Sequence, residues 1–325
     1  AVKLGNEIEK IKDRIVKDMK SKDPKISKIS TACYLIYRTA MRVGDEKDPD
    51  EADTVGATTL RKEHIKITAK TIEFDFLGKD SVRWQETVVA EGHDKQFHEN
   101  IKKIIEKKKP KDEIFEDITS RHVNQYYSGI VKGLTAKVFR TYLATAVVKK
   151  YLVEHDNIKG KTANEKLYHA KLANLEAAMM CNHKRTIPKT YELTLQKKRD
   201  TLKKLEKEQV WKKTQEILKK VESTEPKTDT QKKSKTKRIK TLNQQIKKQK
   251  SKHKERLEKL ELQLDLSEKT KDYAIGTSLR NYIDPRVFKA WTNEVGAEWE
   301  KLYTAALQKK FLWVKNEEVE WKNLK

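Results

Sequence analysis

Residues 191–266 set the hardest limit on what this chain can fold into. They carry 24 Lys and Arg against 12 Asp and Glu, a net +12 and half of the +24 carried by all 325 residues. A segment so charged cannot bury enough apolar surface to make a core of its own. Its apolar residues still recur. Leu195, Leu202, Leu205, Val210, Ile217 and Val221 precede the stretch ESTEPKTDTQ, and Ile239, Leu242, Ile246, Leu257, Leu260 and Leu264 follow it. Pro226 in that stretch cannot continue a helix. Irregular heptads on both sides of a breaker predict an antiparallel two-helix hairpin, narrow and solvated. A flexible charged linker is the alternative, because the seam is discontinuous. Under either reading the core comes from the flanks.

The upstream flank is mostly helical in period. Ile8, Ile11, Ile15 and Met19 predict a helix over 6–20. Ile29, Cys33, Ile36 and Met41 predict a second from Lys28 to Val43, closed by Gly44. The period then changes: Ile65, Ile67, Ile72, Phe74, Phe76, Val82 and Trp84 alternate with polar residues over 64–88. The run Leu77-Gly78-Lys79-Asp80 breaks the alternation as a hairpin turn, with Lys79 at its tip. Helices are expected again near 94–107, 113–128, 135–155 and 162–184. In the third, Leu134, Val138 and Tyr142 line one face and Arg140 lies off it. In the fourth, Leu175, Met179 and Cys181 approach the core, and His183 stands near the C-terminus. The downstream flank holds four of the six tryptophans, Trp291, Trp299, Trp313 and Trp321. Such aromatic density suits a small helical unit that packs onto another.

Within that unit lies GTSLRNYIDPR, residues 276–286. Asp284 is a good N-cap and Pro285 a good first helical residue, so a helix is predicted just after Tyr282. The phenol would then sit near the positive end of a helix, where a phosphate is favoured. Taken alone, Tyr282 still reads as a packed aromatic and Lys79 as a solubilising turn residue. Arg42 and His183 read as side chains answering helix C-terminal dipoles.

Charge narrows the partners. An excess of +24 points to a polyanion, nucleic acid first, with an anionic membrane surface as the other possibility. No apolar run is long enough to span a bilayer, and no signal peptide is visible. Cys33 and Cys181 are expected reduced and buried, which fits an intracellular protein. Neither common phosphate-binding glycine loop is present, and the eight histidines and two cysteines fall into no metal-ligand spacing. Neither a cofactor nor a metal is expected.

Five stretches in order, MRVGDEKDPDEADTVG, FDFLGKDSVRW, GLTAKVFRTY, CNHKR and GTSLRNYIDPR, give the chain a resemblance to the type IB DNA topoisomerases. The likeness covers nearly all of the chain except residues 1–25 and the basic hairpin, where only type and position agree. It implies a mainly α fold with a small antiparallel β-hairpin sheet, the tyrosine recombinase/topoisomerase IB catalytic fold. It also implies a catalytic core over 1–190, a protruding antiparallel coiled-coil linker over 191–266 and a C-terminal domain over 267–325 that carries the nucleophile. The implied activity is ATP-independent relaxation of supercoiled DNA through a 3′-phosphotyrosyl intermediate. Tyr282 would be the nucleophile, Arg42, Arg140 and His183 the transition-state stabilisers, and Lys79 the general acid. DNA contacts are implied at Asp80, Lys137, Arg280 and Asn281. One departure is that Leu279 stands where the family usually has lysine after Gly-Thr-Ser, and the basic residue is Arg280. The implied partner is double-stranded DNA, bound by a monomer that is intracellular and DNA-associated, in an archaeal nucleoid or a nucleus. Because the chain begins at Ala1 without an initiator methionine, it is expected to lack the N-terminal cap of the family. Two other readings remain: a tyrosine recombinase, whose histidine and tyrosine normally lie closer than His183 and Tyr282, and a non-enzymatic basic DNA-binding protein.

Overall fold

The computed structural model describes residues 2–44, 55–78 and 82–323. Two compact units are present. The first comprises residues 1–161, 169–185 and 272–325; the second comprises 162–168 and 186–271.

In the first unit, helices α1 (Val2–Gly5), α2 (Ile8–Asp18) and α3 (Pro24–Thr39) lead into a sheet of β1 (Ile65–Ile67), β2 (Thr71–Leu77) and β3 (Arg83–Val89). Helices α4 (Asp94–Ile105), α5 (Ser120–Ile130) and α6 (Ala136–Glu154) follow. Asp23 caps α3 by accepting from the Lys25 and Ile26 amides at 2.8 and 3.3 Å, with Pro24 at the first position. The helix ends at Thr39, four residues before the expected stop. Ala40 takes the left-handed conformation there (φ 53°), a role usually left to glycine. Gly44, also left-handed, instead turns the chain after Val43. The fifth helix begins later than expected, at Ser120 rather than near 113.

The sheet is antiparallel in the order β1-β2-β3, with Phe74 opposite Ile65 and Phe76 opposite Trp84. Ile72, Phe74 and Phe76 alternate inward along β2, as period-2 patterning requires. Phe76 and Trp84 meet at 5.1 Å between ring centroids. The β2–β3 hairpin is closed at its base by Gly78 N–H donating to the Val82 carbonyl at 2.9 Å. Lys79 and Asp80, expected in its turn, lie outside the described residues, as does most of the acidic stretch after Gly44.

Two cores share α6. Ala136 and Phe139 join α2–α5 and the sheet in one; Ala144, Val148 and Leu152 join the other. The second core is completed by Ala170, Ala173 and Ala177 of α7 (Ala163–Met180) and by the C-terminal segment. That segment contains α11 (Ile275–Asn281), α12 (Pro285–Val295) and α13 (Ala305–Lys310). Trp291, Trp299 and Trp321 are buried there, whereas Trp313 is 48% exposed. Each fully buried large apolar side chain stabilises by about 1.5–3 kcal/mol. Met179, expected near the core, is exposed.

The second unit holds α8 (Tyr191–Lys207), α9 (Lys212–Ser223) and α10 (Asp229–Lys269). The expected two-helix hairpin is thus a long α10 of 41 residues, ~60 Å by helical rise, against a first arm broken between Lys207 and Lys212. Its antiparallel register is marked by Tyr191 near Ser267, Trp211 edge-on to His253 and Lys235 on the carbonyls of Glu222 and Thr224. Leu195, Leu205, Leu242, Ile246 and Leu264 are its buried apolar residues.

Candidate active site

Arg140 stands on α6 between the residues that serve the two cores. Contrary to the expectation that it lies off the packed stripe, its side chain is buried, 5% exposed. The stripe is displaced because α6 packs on one side along Ala136, Phe139, Arg140, Ala144 and Val148. Two main-chain oxygens hold the guanidinium. Nη1 donates to the Ala40 carbonyl at 2.5 Å and Nη2 to the Cys181 carbonyl. Both acceptors lie at the ends of helices, where carbonyls lack helical partners. Nε is buried and unpartnered among the described residues. Burial lowers the affinity of this guanidinium for its proton, although arginine keeps its charge in proteins.

Arg42 lies two residues beyond Ala40 in an extended segment. Its carbonyl accepts from Ala57 N–H at 2.8 Å, and Val43 accepts from Thr58 N–H at 2.7 Å. Gly56 makes the pairing possible: a Cβ there would fall 2.4 Å from the Gly44 backbone. The Arg42 side chain has no hydrogen bond or ion pair among the described residues. It lines a small cleft with Arg140, Cys181, Asn182, Phe76, Gly78 and Trp84.

His183 follows the C-terminal turn of α7. Asn182 is left-handed (φ 50°), and His183 N–H closes the turn by donating to Ala178 at 2.8 Å. The Asn182 side chain donates to the Arg83 carbonyl at 3.1 Å, tying this turn to the base of the hairpin. The His183 carbonyl accepts from Ala274 N–H at 2.7 Å, and Asp272 accepts from Arg185 N–H at 2.9 Å. This short antiparallel pairing delivers α11 to the histidine. Nδ1 lies 2.8 Å from Ser278 Oγ, and Nε2 is buried without a partner among the described residues. Burial, then the charges of Arg140 and Arg42, push the imidazole down to about 3, so it is neutral at physiological pH.

Tyr282 is the residue that closes α11; its N–H donates to the Ser278 carbonyl at 2.9 Å. That short helix was not expected from the sequence. Its presence places the tyrosine between the end of one helix and the start of another. Asp284 caps α12 by accepting from Arg286 N–H at 3.1 Å and pairs with the Arg286 guanidinium. The positive end of α12 is therefore already answered by a carboxylate, and the charge facing the phenol comes from arginine instead. Arg140 Cζ lies 5.1 Å from the Tyr282 ring centroid, and the His183 ring lies 5.2 Å away. Thr145, on the same helix as Arg140, fixes this segment: its hydroxyl accepts from Asp284 N–H at 3.0 Å and lies 3.4 Å from the Tyr282 carbonyl.

Arg42, Arg140, His183 and Tyr282 are thus brought together from positions spread over 241 residues of the numbering, from 42 to 282. Lys137, Arg280 and Asn281 are exposed. Sequence reasoning missed Ser278, Thr145, Asn182 and the carbonyls of Ala40 and Cys181. Ser278 lies within GTSLRNYIDPR, where nothing local marks it out; main-chain acceptors leave no signature in side-chain identity. Two guanidiniums and an imidazole beside a phenol suit a phosphodiester, which needs charge and N–H donors on its non-bridging oxygens.

Comparison with known proteins adds to this geometry. The family described as eukaryotic DNA topoisomerase I, catalytic core, matches residues 1–218, and the C-terminal topoisomerase domain matches residues 254–323. DNA topoisomerase 1 of Homo sapiens is 36% identical over 327 residues, covering 96% of this chain and 40% of that protein. DNA topoisomerase 1 of Caenorhabditis elegans is 35% identical over 327 residues, covering 96% and 38%. The protein DNA topoisomerase I, mitochondrial, of Rattus norvegicus is 34% identical over 334 residues, covering 98% and 52%. The chain therefore spans from 38% to 52% of the length of these relatives. With its catalytic-core match running through two thirds of its residues, the chain belongs to the eukaryotic DNA topoisomerase I family.

Proposed function

We propose that this chain carries the strand-transfer chemistry that relaxes supercoiled double-stranded DNA. The observation that carries the reading is a tyrosine flanked by a buried arginine and a buried neutral histidine, each with a nitrogen unpartnered among the described residues. Among the described residues this buried guanidinium has no carboxylate partner, and such a charge is costly. A phosphodiester would supply the missing negative charge and acceptors.

In the reaction, the Tyr282 hydroxyl loses its proton to solvent and attacks a backbone phosphorus. A 3′-phosphotyrosyl ester forms as the bond from phosphorus to the 5′ oxygen breaks. That oxygen leaves with the bonding electrons and takes a proton, for which Lys79 is the proposed donor. Arg42, Arg140 and His183 stabilise the added negative charge on the non-bridging oxygens. Rotation follows, and attack by the 5′ hydroxyl restores the strand. One phosphoester replaces another, so no ATP is required.

Residues 1–190 serve in this reading as the catalytic core, 191–266 as a basic linker and 267–325 as the domain that brings the nucleophile. Asp80, Lys137, Arg280 and Asn281 contact the DNA backbone, which holds the duplex without reading its sequence. The protein works as a monomer located with its DNA. The names of its relatives support the activity. The test is relaxation of supercoiled plasmid without ATP or magnesium. Wild-type protein should relax it, and Tyr282→Phe should lose all relaxation and all covalent adduct while binding DNA within about threefold of wild type. Adducts persisting in Tyr282→Phe would assign the nucleophile elsewhere.

A further inference from the structure

We propose that Ser278 is a positioning residue whose hydroxyl fixes the His183 imidazole in the tautomer protonated at Nε2, the form able to donate to a phosphate oxygen. The inference rests on the reading of this site as one for phosphodiester transfer. No serine is needed for the chemistry itself, yet Ser278 is fully buried with its hydroxyl against His183.

Donor counting decides the direction of the bond. Nδ1 and Ser278 Oγ lie 2.8 Å apart, and neither has another side-chain partner among the described residues. A neutral imidazole has one donor nitrogen and one acceptor nitrogen, whereas a hydroxyl can serve as either. If Nδ1 carried the proton, it would donate to Oγ. Two groups would then be stranded, the serine hydrogen and the buried Nε2 lone pair. If instead the hydroxyl donates to Nδ1, only Nε2–H is left without a partner. The second arrangement leaves fewer buried polar groups unsatisfied, and the one remaining group is a donor. That donor belongs to the ring beside Tyr282.

The surrounding groups make the choice matter. Among the described residues, Arg140, Arg42 and Tyr282 are the titratable groups that face this ring, and burial together with the two arginines keeps it uncharged. An uncharged imidazole can help an anionic transition state only through its single N–H. In the wrong tautomer it would present a lone pair to a phosphate oxygen and oppose the reaction. A residue acting through hydrogen-bond direction should therefore affect cleavage far more than DNA binding.

The experiment uses the full chain labelled with 15N-histidine, with long-range proton–nitrogen correlation reporting which ring nitrogen is protonated. The His183 signals are identified by their loss in His183→Gln. Wild type should show Nε2 protonated and Nδ1 bare. In Ser278→Ala the two tautomers should mix or invert, and single-turnover cleavage should slow about tenfold or more, since losing one aligned donor has effects of at least that size. Ser278→Cys, close in volume but a weaker donor, should fall between in both measurements. A wild-type ring protonated at Nδ1 overturns the proposal without any variant having to fold. So does an unchanged Nε2–H form in Ser278→Ala. If the tautomer shifts as expected but wild-type protein never cleaves DNA, the positioning of His183 stands and the functional reading falls.

Discussion

Arg140 and His183 show how burial makes ordinary side chains into specialised ones. Removing a charged or titratable group from water is unfavourable, and here the cost is met only partly by carbonyls and a serine hydroxyl. His183 has a measurable consequence. Its ordinary value of 6.5 falls to about 3 in the folded protein. Between those values the unfolded chain binds a proton at this residue and the folded chain does not, so stability must fall as pH drops through that window. Urea unfolding near pH 7 and pH 5 should show wild type losing on the order of 2 kcal/mol more than His183→Gln over the interval. Equal losses would mean that the imidazole is already protonated in the folded state. Lys79 calls for a chemical test. Lys79→Ala should slow cleavage of ordinary DNA by roughly 10²–10⁴-fold. A substrate with sulfur at the bridging 5′ position has a better leaving group and should recover most of that loss. If it stays as slow as ordinary DNA, Lys79 is not the general acid.

At the scale of elements, the site is assembled at ends and turns. Ala40 ends α3, Asn182 ends the turn after α7, and Tyr282 ends α11. Ends are where free carbonyls can grip a guanidinium and where the chain can change direction. The Arg42 segment depends on the approach of Gly56 to Gly44. Gly56→Ala would drive a methyl into backbone at 2.4 Å, and no flexible side chain can yield there. The variant should lose about 1–3 kcal/mol of stability, the usual cost of forcing a backbone shift by overpacking. Relaxation should drop more steeply than plasmid binding, because Arg42 moves with that backbone. Full activity in Gly56→Ala would show that Arg42 can reach the phosphate from more than one backbone position.

For the whole molecule, neither hydrophobic core includes a described residue from 186–271. The basic segment should therefore be separable from folding of the site. Replacing Leu195 to Leu264 with a short flexible loop should leave a protein that folds and cleaves. Lost phosphate contacts should weaken DNA binding and flatten its salt dependence. If the basic helices retard the turning duplex, single-molecule relaxation should record more supercoils removed per cleavage event and shorter runs. An unchanged salt slope together with unchanged turns per event would show that these helices do not approach DNA.

The sequence alone determined the kinds of element and much of their order, because period is a local property. The alternation of Ile72, Phe74 and Phe76 could pack only as a strand with one inward face, and Asp284-Pro285 could hardly do other than start a helix. It also set the charge that limits residues 191–266 to a thin apolar seam. Local periodicity failed where two demands met on one element. Arg140 was misplaced because α6 is packed by two cores, and the resulting buried stripe is not the one that Leu134, Val138 and Tyr142 trace. The broken first arm of the basic hairpin and the left-handed Ala40 were equally hidden, since neither place carries a glycine or proline to mark it. Only tertiary structure decided that Ser278 would face His183, 95 residues earlier, and that carbonyls of Ala40 and Cys181 would hold Arg140 beside Tyr282. Hydrogen bonds between distant segments have no period along the chain; they exist because folding closes the distance between them.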